Sequence, residues 1–171
     1  MKVCILSDTH DNRSLLIAAL QDAKSKGAEA VLHCGDVVAS STIRGLGEFE
    51  LPMHVIHGNN TGDVAALHQV AKKSENLIQY YGQDAELELG GRKIFMVHYP
   101  HYAYAMCCTG DWDVVCYGHT HQADILSVPH VGGGATWLVN PGSLAGQEEP
   151  PTYVMGNLET LEFTICPLNT G

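Results

Sequence analysis

"KVCILSDTH", residues 2–10, is an apolar run that stops abruptly on an aspartate and a histidine. Its short unbroken stretch of apolar side chains reads as a strand buried on both faces, the kind found in parallel sheets. The period then changes. "NRSLLIAALQDAKSKG" at 12–27 spaces its apolar residues as an amphipathic helix ending near Gly27, and "AEAVLHCG" at 28–35 returns to a buried strand. A short helical segment around 40–48, a third strand in "MHVIHG" at 53–58 and a helix over 62–74 follow. Strands separated by helices imply βαβ units and a parallel sheet covered by helices.

After residue 76 the pattern becomes a succession of short strands: "DAELEL", "RKIFMVH", "DVVCYG", "ADILSV", "TWLVN", "PTYVMGN" and "LEFTIC". Gly, Pro or Asn separate them, and "ELGGRK" reads as a hairpin turn. "YPHYAYAMCC" at 99–108 is the helical candidate of this half. "VGGGA" at 131–135 lacks the lysine and the strand-to-helix setting of a phosphate loop, so it reads as a turn. With no long linker or repeat, the two halves are expected to form two packed sheets in one α/β domain spanning 1–171.

A net charge of −10 argues against non-specific binding to nucleic acid or to an anionic membrane, which both require an excess of Lys and Arg. An anionic ligand would need its positive charge from elsewhere. The six cysteines form no CxxC pair, three of them (Cys4, Cys34, Cys116) lie in strand-like runs, and adjacent Cys107 and Cys108 read as free thiols. The opening apolar run is too short for a signal peptide, and no stretch approaches the ~18 apolar residues of a membrane span. A soluble cytoplasmic protein is the expectation, and homo-oligomerisation is left open.

Five buried runs end on a particular kind of polar residue. "CILSDTH" ends in Asp8 and His10, "VLHCGD" in Asp36, "VIHGN" in Asn59, "IFMVH" in His98, and "VVCYGHTH" in His119 and His121. Ligands of open α/β sheets bind beyond the carboxyl ends of the strands, where these groups would meet. Each has a bland explanation alone: Asn59 or an aspartate can cap a helix, and a histidine in an apolar run is usually a hydrogen-bonded core residue, the preferred reading for His33, His54 and His57. Turn chemistry does not explain His10, His98, His119 and His121 together, because turns have no need of imidazole. Four imidazoles, two carboxylates and an amide oxygen suit Mn²⁺, Fe²⁺, Zn²⁺ or Co²⁺. Such a set exceeds the needs of one ion with open positions, whereas two ions ~3.5–4 Å apart sharing a carboxylate would form a clamp for phosphoryl chemistry.

In this order "DTH" at 8–10, "GD" at 35–36, "GN" at 58–59, His98 and "GHTH" at 118–121 resemble the calcineurin-like metallophosphoesterases. "LHCGDV", "DVVCYGHTH" and "LVNPGS" look like the small bacterial and archaeal phosphodiesterases of that superfamily, a branch that includes the phosphoesterase-fold subunit of retromer. The resemblance implies a four-layer α/β/β/α sandwich and a small phosphoester substrate. It implies one metal on Asp8, His10, Asp36 and His121, and another on Asp36, Asn59, His98 and His119. A hydroxide held by both ions would be the nucleophile. Manganese is the first expectation, with Zn, Fe, Co or Ni as alternatives.

The chain departs from that pattern beside Asn59. Many relatives place a histidine there, proposed as general acid; this chain has Asn60, then Thr61 where the small-phosphodiesterase branch often has Asp, with Asp63 two residues further on as a candidate substitute. His101 is the remaining candidate acid, against the reading of an exposed loop histidine. Tyr99 follows His98 where the family often has glycine. Asn12, Arg13 and Asn60 are candidate substrate contacts; for Asn12 the competing reading is a helix cap, for Arg13 a solvent-facing helix side chain. Asn140 and Ser143 of "NPGS" are candidates to support the site, or simply parts of a turn. The competing function is a protein-interaction scaffold of the same fold with a weakened metal site.

Overall fold

The computed structural model describes residues 1–147 and 149–168, so Glu148 and the last three residues of the expected domain lie outside the described residues. The first half runs β1 (Lys2–Leu6), α1 (Arg13–Ser25), β2 (Ala30–His33), β3 (Met53–Val55), α2 (Val64–Lys73) and β4 (Ile78–Tyr80). The second runs β5 (Asp84–Leu89), β6 (Arg92–Val97), α3 (Pro100–Thr109), β7 (Val114–Cys116), β8 (Ala123–Pro129), β9 (Ala135–Pro141), β10 (Thr152–Asn157) and β11 (Glu162–Pro167). Among the described residues these strands form two sheets, ordered β11-β10-β1-β2-β3-β4 and β5-β6-β7-β9-β8.

Alternating side chains explain the layering. On β1, Cys4 and Leu6 face Leu16 and Leu20 of α1 and Leu67 and Val70 of α2, while Val3 and Ile5 face the other sheet. On β6, Ile94 and Met96 fill the space between the sheets, and Phe95 and Val97 pack under Ala103 and Cys107 of α3. Successive strand residues point to opposite faces, so each central strand must be apolar on both, which is why the sequence shows unbroken runs. Three cores separate four layers, α/β/β/α.

Three expectations change. β10 and β11 leave the second half of the chain and join the first sheet, β10 pairing antiparallel with β1. The two sheets therefore do not divide the chain into halves. β10 is itself apolar on both faces, with Tyr153 in the helix-side core and Val154 between the sheets, and a strand so patterned belongs inside a sheet. The helix expected at 40–48 shrinks to one 3₁₀ turn, Leu46–Phe49, bounded by left-handed Gly45 (φ 78°) and Glu50 (φ 54°). The Arg13 guanidinium holds the Ser41 and Thr42 carbonyls, acceptors that a helix would have used. Strand β4, three residues long, carries too little periodicity to be read from sequence.

β1, β2 and β3 run parallel, as do β6, β7 and β9 in the other sheet. The loops after these strands carry the polar residues singled out above.

Candidate metal centre

The seven donor residues converge where the carboxyl edges of the two sheets meet. Asp8 and His10 follow β1, Asp36 follows β2 and Asn59 follows β3; His98 follows β6, and His119 and His121 follow β7. Ligand atoms of Asp8, His10 and His121 lie within 4.8 Å of one another, as do those of Asp8, Asp36 and His98. His121 Nε2 is 3.3 Å from Asp8 Oδ1 and 3.3 Å from His10 Nε2, which in turn is 3.5 Å from Asp36 Oδ2. On the other side His98 Nε2 is 3.5 Å from Asp36 Oδ1 and 2.9 Å from Asn59 Oδ1, and His119 Nδ1 is 2.7 Å from Asn59 Oδ1.

The backbone there is bent into conformations that L-residues seldom adopt. Asp8 (φ 51°), His10 (41°), Asp36 (55°), His119 (72°) and His121 (60°) all lie in the left-handed region. Each costs of order 1–2 kcal/mol, so the surrounding structure must hold it. Cross-bracing between loops does so. Asp8 N–H donates to the Gly35 carbonyl and His10 N–H to the Asp36 carbonyl. His119 N–H donates to Asp8 Oδ2, and Gly118 N–H to the His98 carbonyl.

The glycines of the "GD", "GN" and "GH" blocks have a steric reason. A Cβ on Gly58 would stand 2.2 Å from Asp36 Oδ1 and 2.6 Å from the His98 ring; one on Gly118 would stand 2.0 Å from Ser7 Oγ. Only bare backbone allows the donors to come this close.

The donor set fits a divalent cation on observations of its own. Among the described residues Asp8 Oδ1 is buried without a hydrogen-bond partner, an expensive condition for a carboxylate oxygen. His98 Nδ1 lies 2.8 Å from the Cys34 carbonyl and donates to it, which turns Nε2 toward the oxygens of Asp36 and Asn59. Converging lone pairs call for a cation.

Burial acts to raise the Asp8 carboxyl, but the neighbouring His10 and His98 rings and the His119 N–H outweigh it and hold Asp8 below the ordinary 3.8. Asp8, with Asp36 adding, pushes His10 up against the opposing effect of burial. His33, fully buried beneath the loops, is pulled down by burial to about 4. Its Nδ1 accepts from Gly35 N–H and its Nε2 meets Thr9 Oγ1 at 3.1 Å, the satisfied core histidine expected. His54 and His57 are likewise paired, with the Tyr81 and Tyr80 hydroxyls.

A family model of the calcineurin-like phosphoesterase superfamily domain matches residues 1–161. The chain belongs to that superfamily. It is 31% identical over 150 residues to a phosphodiesterase of Methanocaldococcus jannaschii, the match covering 85% of this chain and 86% of that one. A solved archaeal phosphodiesterase superposes with a TM-score of 0.88 at 27% identity, over 98% of this chain and 100% of its own. The phosphoesterase Yfce of E. coli (TM-score 0.61, 18% identity, 99% and 100% covered) and a Vps29 of Entamoeba histolytica (0.66, 19%, 96% and 90%) share the fold. As a member of this superfamily the chain binds divalent metal ions.

Several candidates from the sequence have other engagements. Asn12 caps α1, accepting from Leu15 N–H, and its amide donates to the Ala145 carbonyl. Arg13 is committed to the Ser41 and Thr42 carbonyls. Asp63 caps α2 through Ala66 N–H. His101 is exposed near the start of α3. Asn60 grips Asp36 twice, its N–H donating to Oδ1 at 2.8 Å and its Nδ2 to Oδ2 at 2.7 Å. Asn140 Nδ2 donates to Thr120 Oγ1 and to the Gly118 carbonyl, and Ser143 Oγ to the Asp8 carbonyl, so "NPGS" braces two site loops. Sequence reasoning missed the clamping role of Asn60 and the place of Tyr99, whose ring lies beside His98 and His119.

Proposed function

We propose the following assignment of parts for this metal-dependent phosphodiesterase. One divalent ion takes Asp8, His10, Asp36 and His121; a second takes Asp36, Asn59, His98 and His119, with Asp36 common to both. The observation that carries the assignment is the buried, partnerless Asp8 Oδ1, which faces His121 Nε2 at 3.3 Å, His10 Nε2 at 3.8 Å and His98 Nε2 at 3.9 Å. A scaffold with a weakened metal site has no use for such a group. When bound, the ions supply positive charge against phosphoryl oxygens and bring the pKa of a water from 15.7 toward ~7.

The chain's own residues do the rest. His98 is held in one tautomer by the Cys34 carbonyl, and Asn60 orients both oxygens of Asp36. No side chain of the assembled set is placed to protonate a leaving group. Asn60 does not exchange protons at neutral pH, and Asp63 and Asn12 are spent on helix caps. A positioned acid is worth typically ~10²–10⁴ in rate, so the enzyme favours esters with an acidic leaving alcohol. Arg13, tied to loop carbonyls, offers nothing to the second negative charge of a monoester, which supports a monoanionic diester as substrate.

Manganese suits this mixed N/O set, with Zn, Fe, Co or Ni as alternatives. Six free cysteines, five of them buried, support a reducing, cytoplasmic setting. Among the described residues no helix is long and apolar enough to cross a membrane.

The test is metal content after purification, followed by rates on bis(p-nitrophenyl) phosphate and p-nitrophenyl phosphate with added Mn²⁺. Bound metal and faster turnover of the diester are expected. Bound metal with neither ester hydrolysed above background would end this reading.

A further inference from the structure

Tyr99 lies beside His98 and His119 without a part in the assignment above. Its ring centroid is 5.4 Å from that of His98 at an interplanar angle of 79°, and 5.5 Å from that of His119 at 60°. One edge-on and one tilted packing border the ring, yet the residue remains 41% exposed. Its backbone is equally constrained. Tyr99 is the N-cap of α3 with φ −90° and ψ 132°, the extended conformation that a following proline, here Pro100, imposes on the residue before it. The Tyr99 carbonyl accepts from Ala103 N–H, completing the first turn of the helix. No hydrogen bond of the side chain engages its hydroxyl among the described residues, and the Tyr99 side chain makes no helix-cap bond.

A large aromatic side chain thus stands partly in water beside two imidazoles of the candidate site. An exposed ring held rigid loses little entropy on contact with a ligand, and a flat π face pairs best with another.

We propose that Tyr99 is a specificity-determining residue, an aromatic wall beside the metal centre that packs against an aromatic group carried on the ester oxygen of the substrate. The proposal rests on the phosphoesterase reading and narrows it to aryl esters. It also accords with the lack of a general acid, since an aryl alcohol leaves with little protonation.

The experiment is calorimetric binding of phenyl phosphate and methyl phosphate to the Mn²⁺-loaded protein, with metal content matched among variants. Both anions present the same phosphate and differ in the aromatic group. Phenyl phosphate is expected to bind ~10-fold more tightly than methyl phosphate. In Tyr99→Ala the ratio falls to within ~2-fold and in Tyr99→Leu, which keeps an apolar wall without a π face, it falls with it, while Tyr99→Phe retains the wild-type ratio. An unchanged ratio in Tyr99→Ala, or a full ratio in Tyr99→Leu, overturns the role of Tyr99 and leaves the phosphoesterase reading standing. Binding of neither anion overturns the aromatic wall; the phosphoesterase reading falls only if bis(p-nitrophenyl) phosphate is not hydrolysed either.

Discussion

The two sheet edges that meet at the site are built differently. The edge of the first sheet supplies both carboxylates, and Asp8 and Asp36 are essentially buried (0% and 1% exposed). Their loops bond to each other, rest on a buried imidazole, and take Asp36 in a double grip from Asn60. The edge of the second sheet supplies imidazoles. His98 is buried, but His121 is half-buried and His119 exposed, and the His119 ring is held through Asn59 alone among the hydrogen-bonded side chains. Both carboxylates thus sit in the more heavily braced half. Misplacing a buried charge costs more than misplacing an exposed ring, so the bracing is densest where the carboxylates are.

The strongest way to break this contrast is Asp36→Asn. Asparagine keeps the shape and tolerates the left-handed backbone, so the variant removes charge alone. We expect kcat/KM on an aryl diester to fall by ~10³ or more and metal to be lost on dialysis. Full activity in this variant would show that the first edge does not hold the shared ligand.

The pH response of the braced half comes next. The His33 imidazole has a folded pKa of about 4, below its ordinary 6.5. The unfolded chain therefore takes up a proton as pH falls through 6.5 while the folded chain does not. The His33 contribution is complete above 6.5 and is lost, by about 3 kcal/mol, as pH drops toward 4. Asp8, held below 3.8, acts only under this window. Denaturant midpoints at pH 7 and pH 5 should differ less in His33→Gln than in the wild type, and an equal difference would remove His33 from the account.

Asn60→Ala sharpens the comparison further. It frees the Asp36 carboxylate from a side-chain partner but leaves the backbone bond, and metal affinity should fall ~10–100-fold, read by metal titration. The smallest effect belongs to His101→Ala, expected to leave kcat/KM within ~2-fold, because an exposed α3 residue has no positioned proton to give. A large loss confined to poor leaving groups would instead make His101 the missing acid.

Much of this was legible along the chain. Apolar runs at 3–6, 30–32, 55–56, 94–97 and 114–117 announce buried strands, and Asp8/His10, Asp36, Asn59, His98 and His119/His121 stand within a few residues after them, in that order. What stayed hidden depends on partners distant in sequence. The return of β10 to β1 follows from an edge that needs a partner, and β4 from a register too short to carry a pattern. Asn60 looks like an absent acid until Asp36, 24 residues away, is seen in its grip.

By itself the sequence determined which chemistry was available: polar donors at the ends of apolar runs, glycines beside them, no lysine or arginine among them. Local patterning is enough for that, since strand burial and ligand type are properties of short segments. Only the tertiary structure decided which donors face one another, which carboxylate oxygen is left without a partner among the described residues, and that Arg13 turns away while Tyr99 packs beside His98 and His119. Those outcomes are set by packing two sheets face to face so that their carboxyl edges meet, where a Cβ at Gly58 or Gly118 would already be too much.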